Sequence, residues 1–384
     1  MSHPKELKRL EAEITSHMGH LSKAFIDVLT CYVLGMVIVR HCGQTQIATL
    51  LAGLLEQSSA TIKQRLREFT YESERKRGRC RRELDVKSCF APLLKWVLSK
   101  FQGSSQQLVL ALDATYLGER FVILAVSVVV AGCAIPVAWH IQRGDQKGEW
   151  HPIWVALLSH LHTAVPAGWT VFVLSDSGLY SKKLFKKISK GFKWHALMRI
   201  YPGQGLFKAK GDRCWRRISS YVHRGMDPLS LEGMCFKGNP LHCTLVMQWD
   251  QAYEQACVIV SDLPPSAIQR QIYGVRYWIE CGFKDIKRGL FHWEQTKMTC
   301  PQRAERLWLV ISIALLWLTA VGDAELHTFE NGRTATGKRT LSAPIQGWIT
   351  LILALLKGDP LPYGCFNDYA WPLPPIPEWQ NTYP

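Results

Sequence analysis

Three carboxylates carry the chemistry that this sequence could perform. Asp113 closes the apolar run "LVLALD" and Asp176 closes "VFVLSD". Each is the first acid after a buried-strand pattern, and α/β sheets gather ligands at the carboxyl ends of their strands. A lone strand-end Asp is commonly a turn former; two in the same setting read as a pair. The third acid, Glu280, lies in "YGVRYWIECGFKDIK", residues 273–287. On a helical wheel Ile272, Val275, Ile279, Phe283, Ile286 and Leu290 form one apolar stripe. Tyr273, Arg276, Glu280 and Lys287 form a second row beside it. Alone, Arg276 and Glu280 read as an i,i+4 surface ion pair worth a few tenths of a kcal/mol.

Converging carboxylates repel, by roughly 1 kcal/mol per pair at 4 Å in water and about 4 kcal/mol near a protein surface. A divalent cation removes that cost, and hard oxygen ligands suit Mg²⁺ or Mn²⁺. Two such ions about 3.5–4 Å apart would clamp the attacking and leaving oxygens of a phosphodiester. Tyr273, Arg276 and Lys287 would then hold the DNA backbone beside them.

Something must bring those residues together. The chain has 384 residues and is 47% hydrophobic, enough for two or three domains with a large core. Its 46 Lys and Arg against 31 acids leave a formal charge of +15, which points to a polyanion as partner, with anionic lipid the competing surface. None of the 12 cysteines is spaced CxxC, so a zinc finger is excluded. The opening residues are charged and helical in pattern, with no apolar signal core, so reduced thiols and a cytoplasmic, nucleoid-associated protein are expected. "FVILAVSVVVAGCAIPVAW", 121–139, is long enough to span a membrane. Its Val and Ile content, the turn signal Ala131-Gly132 and Pro136 favour two buried strands instead. "LWLVISIALLWLTAV", 307–321, reads as a core helix, so no membrane partner is expected.

Residues 1–100 read as an all-helical, basic DNA-binding domain. "TQIATLLAGLLEQSSATIKQRLREF" has the outline of a helix-turn-helix, with a break near Gly53 and a second helix capped by Ser58 or Ser59. That second helix carries Lys63, Arg65 and Arg67 as candidate DNA contacts, and the basic run "RKRGRCRR", 75–82, follows. Residues 105–199 read as three strands, helix, strand, helix, strand: a mixed α/β sheet flanked by helices. A β-rich insertion at 200–264 precedes the helix of Glu280 in 265–321. Residues 322–384 hold one apolar helix and the Pro-rich "WPLPPIPEW".

At these residues a resemblance becomes specific. Tyr273-x2-Arg276-x3-Glu280-x6-Lys287 resembles the YREK signature of insertion-sequence DDE transposases of the insertion-sequence-four type. "LALDATYLG" and "LSDSGLYS" resemble the two Asp motifs of that family, although Ser177 stands where members often carry a basic residue. The resemblance implies an RNase H-like fold with a β-rich insertion before the Glu. It implies Asp113, Asp176 and Glu280 as catalytic residues and ligands of two Mg²⁺ or Mn²⁺ ions. It implies cleavage and strand transfer at transposon terminal inverted repeats and into target DNA, by a homodimer on double-stranded DNA. A Trp of the insertion can stack on a flipped base in such proteins; Trp215 and Trp249 are available. The competing readings are a domesticated DNA-binding repressor without catalysis and a nuclease that cuts without joining.

Overall fold

A computed structural model describes residues 3–77, 81–103, 106–146, 148–268, 273–328 and 341–367. The Pro-rich "WPLPPIPEW", residues 78–80 of the basic run, and Ile272 lie outside the described residues.

Helices open the chain: α1 (His3–His17), α2 (Lys23–Val39), α3 (Gln44–Leu55), α4 (Ser59–Thr70) and α5 (Phe90–Ser99). Helix α2 is apolar nearly all round, and so it is buried. It meets α3 at 102°. Helix α3 does not break at Gly53. It runs on to Leu55 and stops where Glu56 turns left-handed (φ 51°), a conformation that ends helices by satisfying their last carbonyls. Ser58 then caps α4, its hydroxyl accepting from the Thr61 N–H at 3.1 Å.

The sheet begins with β1 (Gln107–Leu117), β2 (Phe121–Val130) and β3 (Cys133–Arg143), an antiparallel meander. The 121–139 segment is therefore two strands, as its β-branched composition requires. Ala131 (φ 56°) and Gly132 (φ 76°) form the two-residue turn between them, whose positive angles match the twist of the flanking strands. Pro136, unable to donate to a ladder, lies on β3 at the sheet edge, where the register slips between Val126 and Ser127. After α6 (Trp150–His162), β4 (Thr170–Ser175) pairs parallel with β1. After α7 (Lys182–Lys186), β5 (His195–Arg199) pairs parallel with β4.

Residues 200–264 supply β6 (Leu206–Ala209), β7 (Arg216–Arg217), β8 (Met226–Cys235), β9 (Leu241–Trp249) and β10 (Cys257–Ser261). They extend the same sheet, because β10 pairs with β5. The order is β3-β2-β1-β4-β5-β10-β9-β8-β6-β7. Then follow α8 (Tyr277–Lys284), α9 (Pro301–Thr328) and α10 (Ala343–Lys357). Helix α9 contains the 307–321 segment and is long and apolar enough to cross a membrane, but its apolar window is 94% buried inside the protein. It continues past 321, so the boundary expected between 321 and 322 falls inside a helix. Its backbone touches that of α10 at paired glycines: a Cβ on Gly347 would lie 1.9 Å from the Leu318 carbonyl oxygen.

Helix α9 also ties down the N-terminal helices through Arg306, whose side chain is 4% exposed. Its guanidinium donates to the Thr70 carbonyl (2.8 Å) and the Leu84 carbonyl (3.3 Å) and pairs with Glu83. Beside it, Arg303 pairs with Glu72 at 3.0 Å.

After α8 the backbone widens into a π-turn, Asp285–Gly289. Asp285 is buried there, accepts from the Ser342 hydroxyl at 3.2 Å, and is pushed by that burial to a pKa of about 6 from 3.8. The fold thus prefers the protonated acid. Below pH about 4 both states hold the proton and nothing is lost. As pH rises from about 4 to about 6 the unfolded chain ionises first and the fold loses stability, by about 3 kcal/mol at most. Asp285→Asn, which keeps the acceptor for Ser342, should therefore raise stability at pH 7–8 and flatten that slope in urea titrations. Equal or lower stability at pH 7–8 would contradict this.

Candidate active site

Strands β1 and β4 bring the two aspartates side by side. Their pairing ends at Leu112 opposite Ser175, and Asp113 and Asp176 are the next residues. Asp113 is not at a strand end, as its apolar run suggested. Strand β1 continues to Leu117 along β2, and only its ladder to β4 stops. Two strands that part at equivalent positions leave their next side chains in the same gap. Asp176 leaves the sheet in extended conformation, and its carbonyl accepts from the Leu179 N–H at 3.0 Å. The hydroxyl of Ser177 is 3.5 Å from the Asp176 carboxylate.

Glu280 arrives on α8. Ile279 and Phe283 press that helix onto the core. Gly282 permits the approach, since a Cβ there would lie 2.5 Å from the Ala134 carbonyl oxygen on β3. The uniform helix expected over 273–290 is not seen. Among the described residues, a turn at Val275 and Arg276 precedes α8 and the π-turn follows it.

The three acids converge on Arg276. Its guanidinium is 3.0 Å from Asp113, 3.0 Å from Glu280 and 4.0 Å from Asp176, with the side chain 7% exposed. Arg199, at the end of β5, stands 3.8 Å from the other Asp176 oxygen. Burial raises the carboxyls of Asp113 and Glu280 above their ordinary range against the pull of Arg276, and the negative charge of the other acids adds to the rise. Burial would lower Arg276, but Tyr273 and the three acids outweigh it and hold the guanidinium above its ordinary value.

The candidate DNA contacts fare differently. Tyr273 is buried, and its hydroxyl donates to the Ser175 carbonyl at 3.1 Å. That bond ties Tyr273 to the end of β4, next to Asp176, in the structure without DNA. Arg276 likewise is engaged by the acids rather than open to a backbone phosphate. Lys287 sits on the π-turn, where burial and then Arg288 lower its pKa while Glu294 and Asp113 oppose them. Arg199 escaped the sequence reading, although it holds the same place after "WHALM" that the aspartates hold after their strands.

Lys63 and Arg67 line a cleft of about 1020 Å³ with Gln44 and Gln46 of α3 and Lys297 and Arg303 of the facing segment. Arg65 is not among the lining residues; its charge acts on the Cys31 thiol of α2 instead. Trp215 and Trp249 are both half-buried, and the Trp249 indole N–H donates to the Tyr253 carbonyl at 3.0 Å.

Residues 128–317 match the family model described as "Transposase DDE domain". The match covers 190 of the 384 residues, just under half of the chain. The matched span holds Asp176 and Glu280 and begins after Asp113. No curated protein matches the chain. Among solved structures it is similar to a piggyBac transposase synaptic complex with hairpin DNA, at 14% identity and a TM-score of 0.38, over 90% of this chain and 75% of that one. A likeness at that score carries no argument.

Among the described residues, no three of His, Cys, Asp and Glu stand close enough to hold an ion as they are. The guanidinium of Arg276 lies between the acids instead. The donors themselves are all carboxylate oxygens around a shared positive charge, which is the set a hard divalent cation takes.

Proposed function

We propose that the chain is a DDE transposase of the insertion-sequence-four, YREK type. It would bind the terminal inverted repeats of its element and cut and join DNA through Asp113, Asp176 and Glu280. One observation carries this reading: three acids far apart in sequence surround a single buried cation. The sheet order β3-β2-β1-β4-β5, with β2 antiparallel to both neighbours and β1, β4 and β5 parallel, supports an RNase H-like core. In this reading residues 1–100 form the DNA-binding domain and 200–264 the insertion. A homodimer acts on paired ends, in the cytoplasm at the nucleoid.

When bound, two Mg²⁺ or Mn²⁺ ions would supply an activated oxygen nucleophile and stabilise the leaving oxyanion. The protein's part is to fix the acids. The parting of β1 and β4 aims the aspartates, Tyr273 ties down the Ser175 backbone, and Gly282 lets Glu280 close in.

The test is incubation of the full chain with DNA carrying its element's ends and Mg²⁺, with the 3′ ends mapped. New 3′-hydroxyls at the terminal repeats together with joined products are expected. Cutting without joining would make the protein a nuclease, and binding without cutting a repressor.

The cleft between α3, α4 and residues 295–303 offers the backbone its cations. Lys63→Ala with Arg67→Ala should weaken binding to all DNA sequences alike and reduce the slope of log affinity against log salt by roughly 2. Arg65→Ala should leave that slope unchanged. A double variant with an unaltered slope would remove the cleft from the DNA path.

A further inference from the structure

We propose that Arg276 is an internal counter-ion that keeps divalent cations out of the three-acid site until a DNA phosphate draws its guanidinium away. The inference rests on the three-acid reading above and adds a requirement on the order of binding. The guanidinium touches all three acids at once, at 3.0, 3.0 and 4.0 Å. An ion between those acids would need the same oxygens, so the two cations compete for one seat. Arg276 is also nearly buried, and it cannot leave the acids without another anion to receive it. A phosphodiester supplies that anion, since its oxygens accept the same forked pair of N–H bonds as a carboxylate. With DNA present, the acids keep a positive partner and the guanidinium keeps a negative one. Without DNA, binding the ion strands one charge. Metal and DNA therefore bind with positive coupling, equal in both directions.

The position of Arg276 suits this exchange. It lies at a two-residue turn, Val275 and Arg276, between helical Tyr273–Gly274 and α8, and Tyr277, the next residue, is 46% exposed. Arg199 stays beside Asp176 from the β5 end, so the aspartate keeps a cation while Arg276 is away.

The test is Mn²⁺ binding to the full chain, read from the electron paramagnetic resonance signal of the free ion, with and without a duplex oligonucleotide. Arg276→Gln should bind Mn²⁺ at least about tenfold more tightly than wild type in the absence of DNA, within the range of ordinary coupling. Arg276→Lys keeps a positive charge there and should stay weak. Mn²⁺ should raise the melting temperature of Arg276→Gln but not of wild type without DNA. A merely structural arginine would give the opposite sign, with metal binding weakened by either change. In wild type, the duplex should tighten Mn²⁺ binding about tenfold, which tests the proposal even if Arg276→Gln does not fold.

Equal Mn²⁺ affinity in wild type and Arg276→Gln, lost in both on Asp113→Asn, would overturn the counter-ion and leave the three-acid site standing. So would a wild type whose Mn²⁺ affinity ignores DNA. No Mn²⁺ bound by any variant, with or without DNA, would sink the three-acid reading and the proposal with it.

Discussion

Asp113→Asn is expected to cut cleavage of end-containing DNA by at least about a thousandfold, roughly 4 kcal/mol of transition-state stabilisation, while DNA affinity stays within a few-fold of wild type. The change is nearly isosteric. The single amide oxygen can still accept from the Ala114 N–H, which now meets one carboxylate oxygen at 2.8 Å, but the amide NH2 then faces Arg276, whose guanidinium now donates to the other oxygen at 3.0 Å. What it loses is the negative charge, on which a hard cation depends far more than a neutral donor does. Burial already resists that charge, which offsets part of the lost pairing with the buried Arg276. A labelled-oligonucleotide cleavage assay beside a binding titration separates the two effects. Cleavage within tenfold of wild type would remove Asp113 from the chemistry, and a parallel loss of binding would assign it to DNA recognition.

Arg306→Ala is expected to destabilise the protein by about 3 kcal/mol or more, in the range for breaking a buried charged network. The substitution strands the Thr70 and Leu84 carbonyls and leaves Glu83 and Glu72 without their shared cation. Those groups sit at the end of α4 and in the segment after it, so this arginine sets where the cleft lies relative to the catalytic sheet. Urea unfolding should show a lower midpoint. A loss below about 1 kcal/mol would mean that Arg306 is not what holds the N-terminal helices in place.

Glu280 was singled out by its spacing from Tyr273, Arg276 and Lys287. The two aspartates were legible as a pair because each follows a recognisable apolar run, and patterns of buried strands survive without tertiary information. The meander was legible for the same reason, since Ala131-Gly132 and Pro136 permit few alternatives. The centre of the site was not. Arg276 and Glu280 at i,i+4 look like any surface pair, and only the fold reveals that Asp113 and Asp176 share the same guanidinium. Nor was the π-turn visible: spacing alone suggests one even helix over 273–290, and nothing in it sets Asp285–Gly289 apart. Nor does the sequence show that the Tyr273 hydroxyl meets the Ser175 carbonyl, since a phenol beside cations looks the same whether it faces a phosphate or the backbone. The split between Lys63, Arg67 and Arg65 could have been foreseen. Residues four apart share a helix face, and the residue two along points roughly the opposite way.

The ten strands form one sheet, and that has a geometric result. Neighbouring strands rotate by roughly 20–25°, and β9 lies four places from β1. At that average rate β9 would be turned by roughly 80–100° relative to the strand bearing Asp113. A sheet that twists so far turns its two ends to different directions, so a straight rod laid along the strand of Asp113 would cross β9 rather than follow it.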